Sequence, residues 1–260
     1  MTTLLPAFRA GPLARVNAVT KLGCALLIAL TLLATVDWVS AAVAAVLEAA
    51  ALAPTRLPWQ RVLPRLAPLG VAAVLAWFTT TLYGASSGRV WWQWGVIEIS
   101  DGSVSLAVAT ALRIVAIGVP AVVLFLTIDP TELADGLAQL VRLPARFVIG
   151  ALAALRLVGL FMDDWRALTL ARRARGVADT GRARRYAGLV FALLVLAIRR
   201  GTKLATAMEA RGFGAPGPRS WARPATVGWA DAAAVAIGVA IAALAVLMAV
   251  VTGSWHWVVG

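Results

Sequence analysis

Long apolar stretches broken by short polar ones set the pattern of this chain. A membrane-crossing helix needs about 20 mostly apolar residues. Leu22 to Val36 forms the core of the first such stretch, which can begin as early as Val16. Asp37-Trp38 interrupts it, and Ala41 to Ala53 continues as a shorter apolar run containing Glu48. One reading is a single long helix with a bend. A tight helical hairpin with spans over 16–36 and 41–53 is favoured, because the combined run exceeds what one modestly tilted helix requires. Pro54 to Pro68, with four prolines and Arg56, Arg61 and Arg65, reads as a loop with room for one turn of interfacial helix. Further spans are predicted over 69–83 and over 104–128, the latter interrupted by Arg113 and Pro120. Between them, Gly84 to Ser103 carries Trp91, Trp92 and Trp94 and reads as an interfacial loop, since tryptophan anchors at headgroup level. The last span, Ala232 to Val251, is followed by Trp255-His256-Trp257.

From residue 129 to residue 230 the pattern changes. Asp129-Pro130-Thr131-Glu132 is a helix start, with proline at the first helical position and an acid in the first turn. That short helix ends near Leu143-Pro144. A long helix is predicted over 145–175, apolar in its first half yet carrying Arg146, Arg156, Asp163, Asp164 and Arg166. Asp163 and Arg166 are three apart and able to pair on its surface. A turn over 177–181 leads to a second long helix over 182–211. Its apolar patch, Ala187 to Ile198, is short for a span and flanked by basic residues on both sides. Gly214 to Pro224 reads as a linker. The organisation is therefore an all-α polytopic membrane protein of about five transmembrane helices with long amphipathic helices on the cytoplasmic side. Residues 1–128 form the bundle, 129–230 the helical segment and 231–260 the last span with its tail.

Composition agrees. The chain is 61% hydrophobic and 14% charged, against about 45–50% and about 25% for a soluble domain. Net charge is +12, and residues 129–230 hold 16 of the 24 Lys and Arg but 7 of the 12 acids. Basic residues beside apolar spans are a topology signal. They put the N-terminus, the 54–68 loop and segment 129–230 in the cytoplasm and the C-terminus outside the plasma membrane. No aromatic platform is interleaved with the basic residues, which argues against nucleic acid as partner. Cys24 is the single cysteine and His256 the single histidine, so no metal site built on thiolate or imidazole is expected.

Within the basic segment one short sequence occurs twice. Ala171-Arg172-Arg173-Ala174-Arg175-Gly176 recurs 36 residues later as Ala207-Met208-Glu209-Ala210-Arg211-Gly212. Both read Ala-x-x-Ala-Arg-Gly, and each closes a long predicted helix. In the plainest reading each arginine is a surface charge and each glycine a helix stop. An arginine at a helix tip, preceded by alanine and followed by glycine, is also sterically unshielded and able to fork onto a carboxylate in a pocket. That is docking chemistry rather than catalysis.

The two elements resemble those of the transmembrane T component of energy-coupling factor (ECF) ABC transporters, the EcfT/CbiQ-like family. The similarity runs from Thr127-Ile128-Asp129-Pro130-Thr131-Glu132-Leu133 through Arg142-Leu143-Pro144 and Ala174-Arg175-Gly176 to Ala210-Arg211-Gly212. Asn17-Ala18-Val19-Thr20-Lys21-Leu22 is similar to the family's opening, though Ala18 stands where proline is usual. The resemblance implies a non-catalytic subunit of an importer of vitamins or transition metals. It would hold a substrate-binding membrane S component and dock on two cytoplasmic ABC ATPases, which bind the ATP and Mg. Arg175 and Arg211 would be the ATPase contacts, with Ala174, Gly176, Ala210 and Gly212 giving clearance. Independently, the sequence has no Gly-x-x-x-x-Gly-Lys-Ser/Thr loop, so ATP hydrolysis belongs to another chain.

Two rival readings come from other classes. A membrane enzyme acting on a lipid or isoprenoid phosphate needs clustered acids for Mg²⁺. Asp163-Asp164 is the one adjacent acidic pair, its members point different ways on a helix, and Arg156 or Arg166 stands ready to pair with them. A self-sufficient transporter would show repeated or broken helices in matching halves. Only Arg113, inside a span, speaks for it.

Overall fold

The structure, a computed structural model, describes residues 11–35, 37–55, 59–85, 87–94, 97–176, 181–215 and 220–254. The Trp255-His256-Trp257 tail lies outside these residues, as do Arg9, Arg56, most of the 177–181 turn and part of the 214–224 linker. The described residues form eight α-helices and one β-hairpin: α1 (Ala18–Leu33), α2 (Trp38–Leu52), α3 (Trp59–Tyr83), β1 (Val90–Trp94), β2 (Ile97–Ser100), α4 (Asp101–Thr127), α5 (Pro130–Gln139), α6 (Ala145–Ala174), α7 (Arg182–Ala210) and α8 (Trp229–Val251). The chain divides into two compact units, one of residues 7–133 with 226–260 and one built on 134–225.

The first unit is a helical bundle in which α3 lies against α4, α2 against α4 and α8, and α1 against α8. Small residues are frequent at its centre: Ala41, Ala44, Ala107, Ala109, Ala116, Ala245 and Ala249 are all buried, beside Ile28, Leu32 and Ile241. Small side chains let helices approach closely where lipid removes the hydrophobic drive between them. Large apolar residues such as Leu30, Val46, Val74, Phe78, Phe125 and Leu247 are exposed instead, as lipid-facing positions are.

The polar break at Asp37 separates two helices rather than bending one. Asp37 caps α2, its carboxylate accepting from the Ser40 amide at 2.6 Å and the Ser40 hydroxyl at 2.8 Å. Thr35 and Ser40 hydroxyls bond at 3.0 Å, and the Arg113 guanidinium of α4 donates to the Thr35 carbonyl. Arg113 thus holds the α1–α2 junction to α4, and the feature that favoured a self-sufficient transporter has a structural task.

Three boundaries differ from those expected. The 54–68 segment is a loop only in part: α3 starts at Trp59 and carries Pro64 and Pro68 inside it. Spaced by four, the two prolines share one exposed face, so the lost amide bonds are confined to it. The 84–103 loop contains the antiparallel hairpin β1–β2, with Trp92 opposite Ile99 and Gln93 opposite Glu98. Its tryptophans and isoleucines are strand formers. Asp101 pins the hairpin by accepting from the Trp91 indole at 2.8 Å, and Ser100 with Ser103 forms a capping box that starts α4 at Asp101.

Among the described residues, five helices are long and apolar enough to cross a membrane, those of Trp38–Thr55, Val62–Tyr83, Asp101–Thr127, Ala145–Ala174 and Trp229–Val251. The number agrees with expectation; by length and composition alone the set takes in α6 and leaves out the shorter apolar α1. Asn17 caps α1 at one end, accepting from the Val19 amide, and Asp37 opens α2 at the other. Those caps limit α1 to 16 residues, about 24 Å at 1.5 Å per residue. α6 enters because its charges crowd into its second half, which leaves the first half nearly as apolar as a span.

In the second unit, Ala134 and Ala138 of α5 pack on Val148 of α6, with Leu137, Leu152 and Trp221 around them. Gln139 secures the returning chain, donating to the Arg223 carbonyl at 2.9 Å and accepting from the Ala225 amide at 2.8 Å.

Candidate functional site

The two Ala-x-x-Ala-Arg-Gly elements end in the same backbone geometry. Ala174 is the last residue of α6 and Ala210 the last of α7. Arg175 follows with φ −88° and ψ 5°, and Arg211 with φ −92° and ψ 11°. Gly176 and Gly212 then turn into the left-handed region at φ 69° and 79°. The Gly212 amide donates to the Glu209 carbonyl at 2.9 Å and the Phe213 amide to the Met208 carbonyl at 2.9 Å. Together these bonds are a Schellman closure of α7. The equivalent inner bond at the first copy runs from the Gly176 amide to the Arg173 carbonyl at 3.1 Å.

Within the chain itself the glycines serve the backbone. A Cβ added at Gly176 or Gly212 meets nothing within 4 Å, so space does not demand glycine there; the positive φ does. Gly212→Ala is expected to cost about 1–2 kcal/mol through the left-handed penalty, and Gly212→Asn less, because asparagine tolerates that region. Hydrogen exchange of the last turn of α7 reads the difference. Equal protection in all three proteins would refute the assignment.

Arg175 and Arg211 are exposed, and neither guanidinium has a hydrogen-bond or ion-pair partner among the described residues. Three other arginines of these helices are engaged. Arg166 pairs with Asp163 at 3.9 Å on an open surface, Arg172 donates to the Gly188 carbonyl at 2.8 Å, and Arg200 forks onto Asp164. Both tips also sit at helix C-termini, where a cation is favoured by the helix dipole.

The same contacts space the two tips. Arg172, one turn before Arg175, is held on Gly188 near the start of α7. Arg211 lies at the other end of that helix, roughly 35 Å away at 1.5 Å per residue. Two matched, unengaged arginines are therefore presented at separate points, which suits two similar sites on a partner better than one pocket.

The acidic pair that would have served an enzyme is divided between arginines. Asp163 faces Arg166 on its own helix, while Asp164 faces Arg200 of α7. The second pairing was not legible, because it joins residues 36 apart on different helices. Among the described residues there is no group of three or more His, Cys, Asp or Glu placed to hold a metal ion. Glu48, inside α2, is 4% exposed, and neither carboxyl oxygen has a hydrogen-bond partner among the described residues.

Taken together, the fold and the site define a multi-pass α-helical membrane protein whose second unit carries a pair of long helices with matched arginine tips. Comparison with known proteins places it more narrowly. Residues 10–220 match the CbiQ family, described as cobalt transport protein. The chain belongs to that family. It is similar to the energy-coupling factor transporter transmembrane protein EcfT of Limosilactobacillus fermentum, at 29% identity over 203 residues, covering 74% of each chain. It is also similar to the EcfT protein of Brevibacillus brevis, at 28% identity over 216 residues and 78% of each chain.

Proposed function

We propose that this chain is the transmembrane coupling subunit of an ECF-type ABC importer. In this reading α6 and α7 carry the motion of two cytoplasmic ATPases to a substrate-binding S component in the membrane. The observation that carries the reading is the pair of matched helix ends, each presenting an arginine unengaged among the described residues. Arg175 docks in one ATPase and Arg211 in the other, with Ala174, Gly176, Ala210 and Gly212 leaving room for the pocket walls. The chain itself is not an enzyme: ATP and Mg are bound by the ATPases, and closure of those subunits moves the two helices and topples the S component.

The apolar flanks of the same helices support the second contact. Phe147, Leu155, Val158 and Leu160 on α6, with Val190, Phe191, Leu194 and Ile198 on α7, are exposed. Faces of that kind call for lipid or another membrane protein. The cargo, a vitamin or a transition-metal ion, is chosen by the S component. In this reading the N-terminus and residues 129–230 face the cytoplasm, where the basic residues cluster, and the C-terminus faces outward.

Affinity purification of the tagged chain from its own cells tests the proposal. Two ABC ATPase subunits and a small membrane protein are expected to copurify, and ATP hydrolysis is expected in the complex but not in the isolated chain. A chain that purifies alone, or that hydrolyses ATP alone, would overturn it.

A further inference from the structure

The mutual angle of α6 and α7 rests on polar contacts. Among the described residues of the two helices, Val148 and Leu189 are the buried ones, and Val148 packs towards α5. So little shared apolar core cannot by itself hold two helices, each about 45 Å long, at one crossing. What joins them is specific. Arg200 donates from Nη1 to Oδ2 of Asp164 at 2.5 Å and from Nη2 to Oδ1 at 2.9 Å, a planar two-bond fork. The Asp164 side chain is 17% exposed and that of Arg200 37%, so the pair is partly withdrawn from solvent. Arg172 reaches the Gly188 carbonyl, and its guanidinium occupies the space a side chain would fill: a Cβ at Gly188 would lie 2.9 Å from Nη1. Trp165 stacks on Tyr186 with ring centroids 6.4 Å apart at 15°.

We propose that Asp164 and Arg200 are positioning residues whose fork sets the crossing of α6 on α7, and with it the span between Arg175 and Arg211. The inference rests on the docking reading of the two tips and adds a requirement to it. Two linked contacts bind a two-site partner far better than one, but only if their separation matches that of the sites. A crossing free to scissor spreads the tips over many separations. The second contact then forms at a lower effective concentration, and motion applied to one arm is no longer passed to the other. Neither residue touches the partner in this account; both act through the arginines.

Two measurements test it on the full chain. In the first, Cys24→Ser removes the single native cysteine, and Ala171→Cys with Ala207→Cys carries spin labels at matching places in the two elements. In lipid nanodiscs, double electron–electron resonance is expected to give one narrow distance population near roughly 30 Å. Asp164→Asn is expected to broaden it at least twofold, and the exchange Asp164→Arg with Arg200→Asp to narrow it again. An unchanged width in Asp164→Asn overturns the proposal. In the second, binding is measured to the ABC ATPase pair encoded in the same genome. Asp164→Asn is expected to weaken binding about tenfold when both tips are intact and less than twofold in an Arg211→Ala background, where span no longer matters. An equal loss in both backgrounds would mean general damage to the helices and would overturn the positioning role. If Arg211→Ala binds the ATPases as well as the parent, it is the docking reading that fails. The distance measurement, made on the chain alone, still decides whether the fork sets the span.

Discussion

Replacing Arg175 and Arg211 together with alanine is expected to abolish stable association with the ATPase subunits, while the membrane bundle stays folded. Neither guanidinium has a partner among the described residues, so its removal breaks no side-chain bond among them. Truncating one side of a buried, hydrogen-bonded charge pair at an interface costs about 2–5 kcal/mol, much of it from the charge left unpaired on the other side. At about 1.4 kcal/mol per factor of ten, each single variant should weaken binding at least about 30-fold. The double variant should lose the linked second contact as well. Lysine should not rescue either position, because a point charge does not reproduce a planar fork on a carboxylate. Copurification and transport in cells expressing each variant are the measurements. A double variant that retains its ATPases and full uptake would show that the tips are surface charges after all.

The second large effect is expected at Asp231, far from the tips. Asp231 is 3% exposed, and its carboxylate accepts from the backbone amides of Asn17 at 2.7 Å and Gly228 at 2.8 Å. It therefore closes the first turn of α8 from within and ties it to the start of α1, 214 residues earlier. Lys21, also buried, lies in the field of Asp231 and Glu132. Asp231→Ala strands two amide donors at about 1–3 kcal/mol each and removes a countercharge from Lys21, so a loss of about 3–6 kcal/mol is expected. Native stabilities are themselves only about 5–15 kcal/mol. The variant should appear as aggregated or proteolysed protein, with a melting temperature in detergent well below that of the parent. Asp231→Asn should fall between them, since one amide oxygen still accepts while the amide nitrogen faces a donor. A parental melting temperature for Asp231→Ala would contradict the assignment.

Much of this architecture is local and could be read from the chain. Asp129 before Pro130 does start α5, with the Asp129 carboxylate accepting from the Thr131 amide at 2.8 Å. The glycines after Arg175 and Arg211 do end their helices, because a left-handed residue is a property of one position and its neighbours. Asp37 splits the first apolar run for the same reason: a cap is a bond over three residues. The errors are equally local in origin. Four prolines and three arginines outweighed the apolar face of α3, and a tryptophan-rich stretch read as an irregular anchor pairs as β1 with β2.

The sequence by itself determined the all-α polytopic character, the two long helices of the basic segment and their repeated Ala-Arg-Gly ends. Apolar run length, helix caps and a recurring motif all act within a few residues of one another. Only the tertiary structure decided which charges are engaged. Asp164 finds Arg200, Arg113 finds the Thr35 carbonyl and Asp231 finds the Asn17 amide. These are partners at separations no periodicity encodes, chosen because helix packing removes the alternative of water. Among the described residues, Arg175 and Arg211 are left without such partners at the ends of their helices. That contrast, created by packing, separates the two tips from Arg166, Arg172 and Arg200 of the same segment.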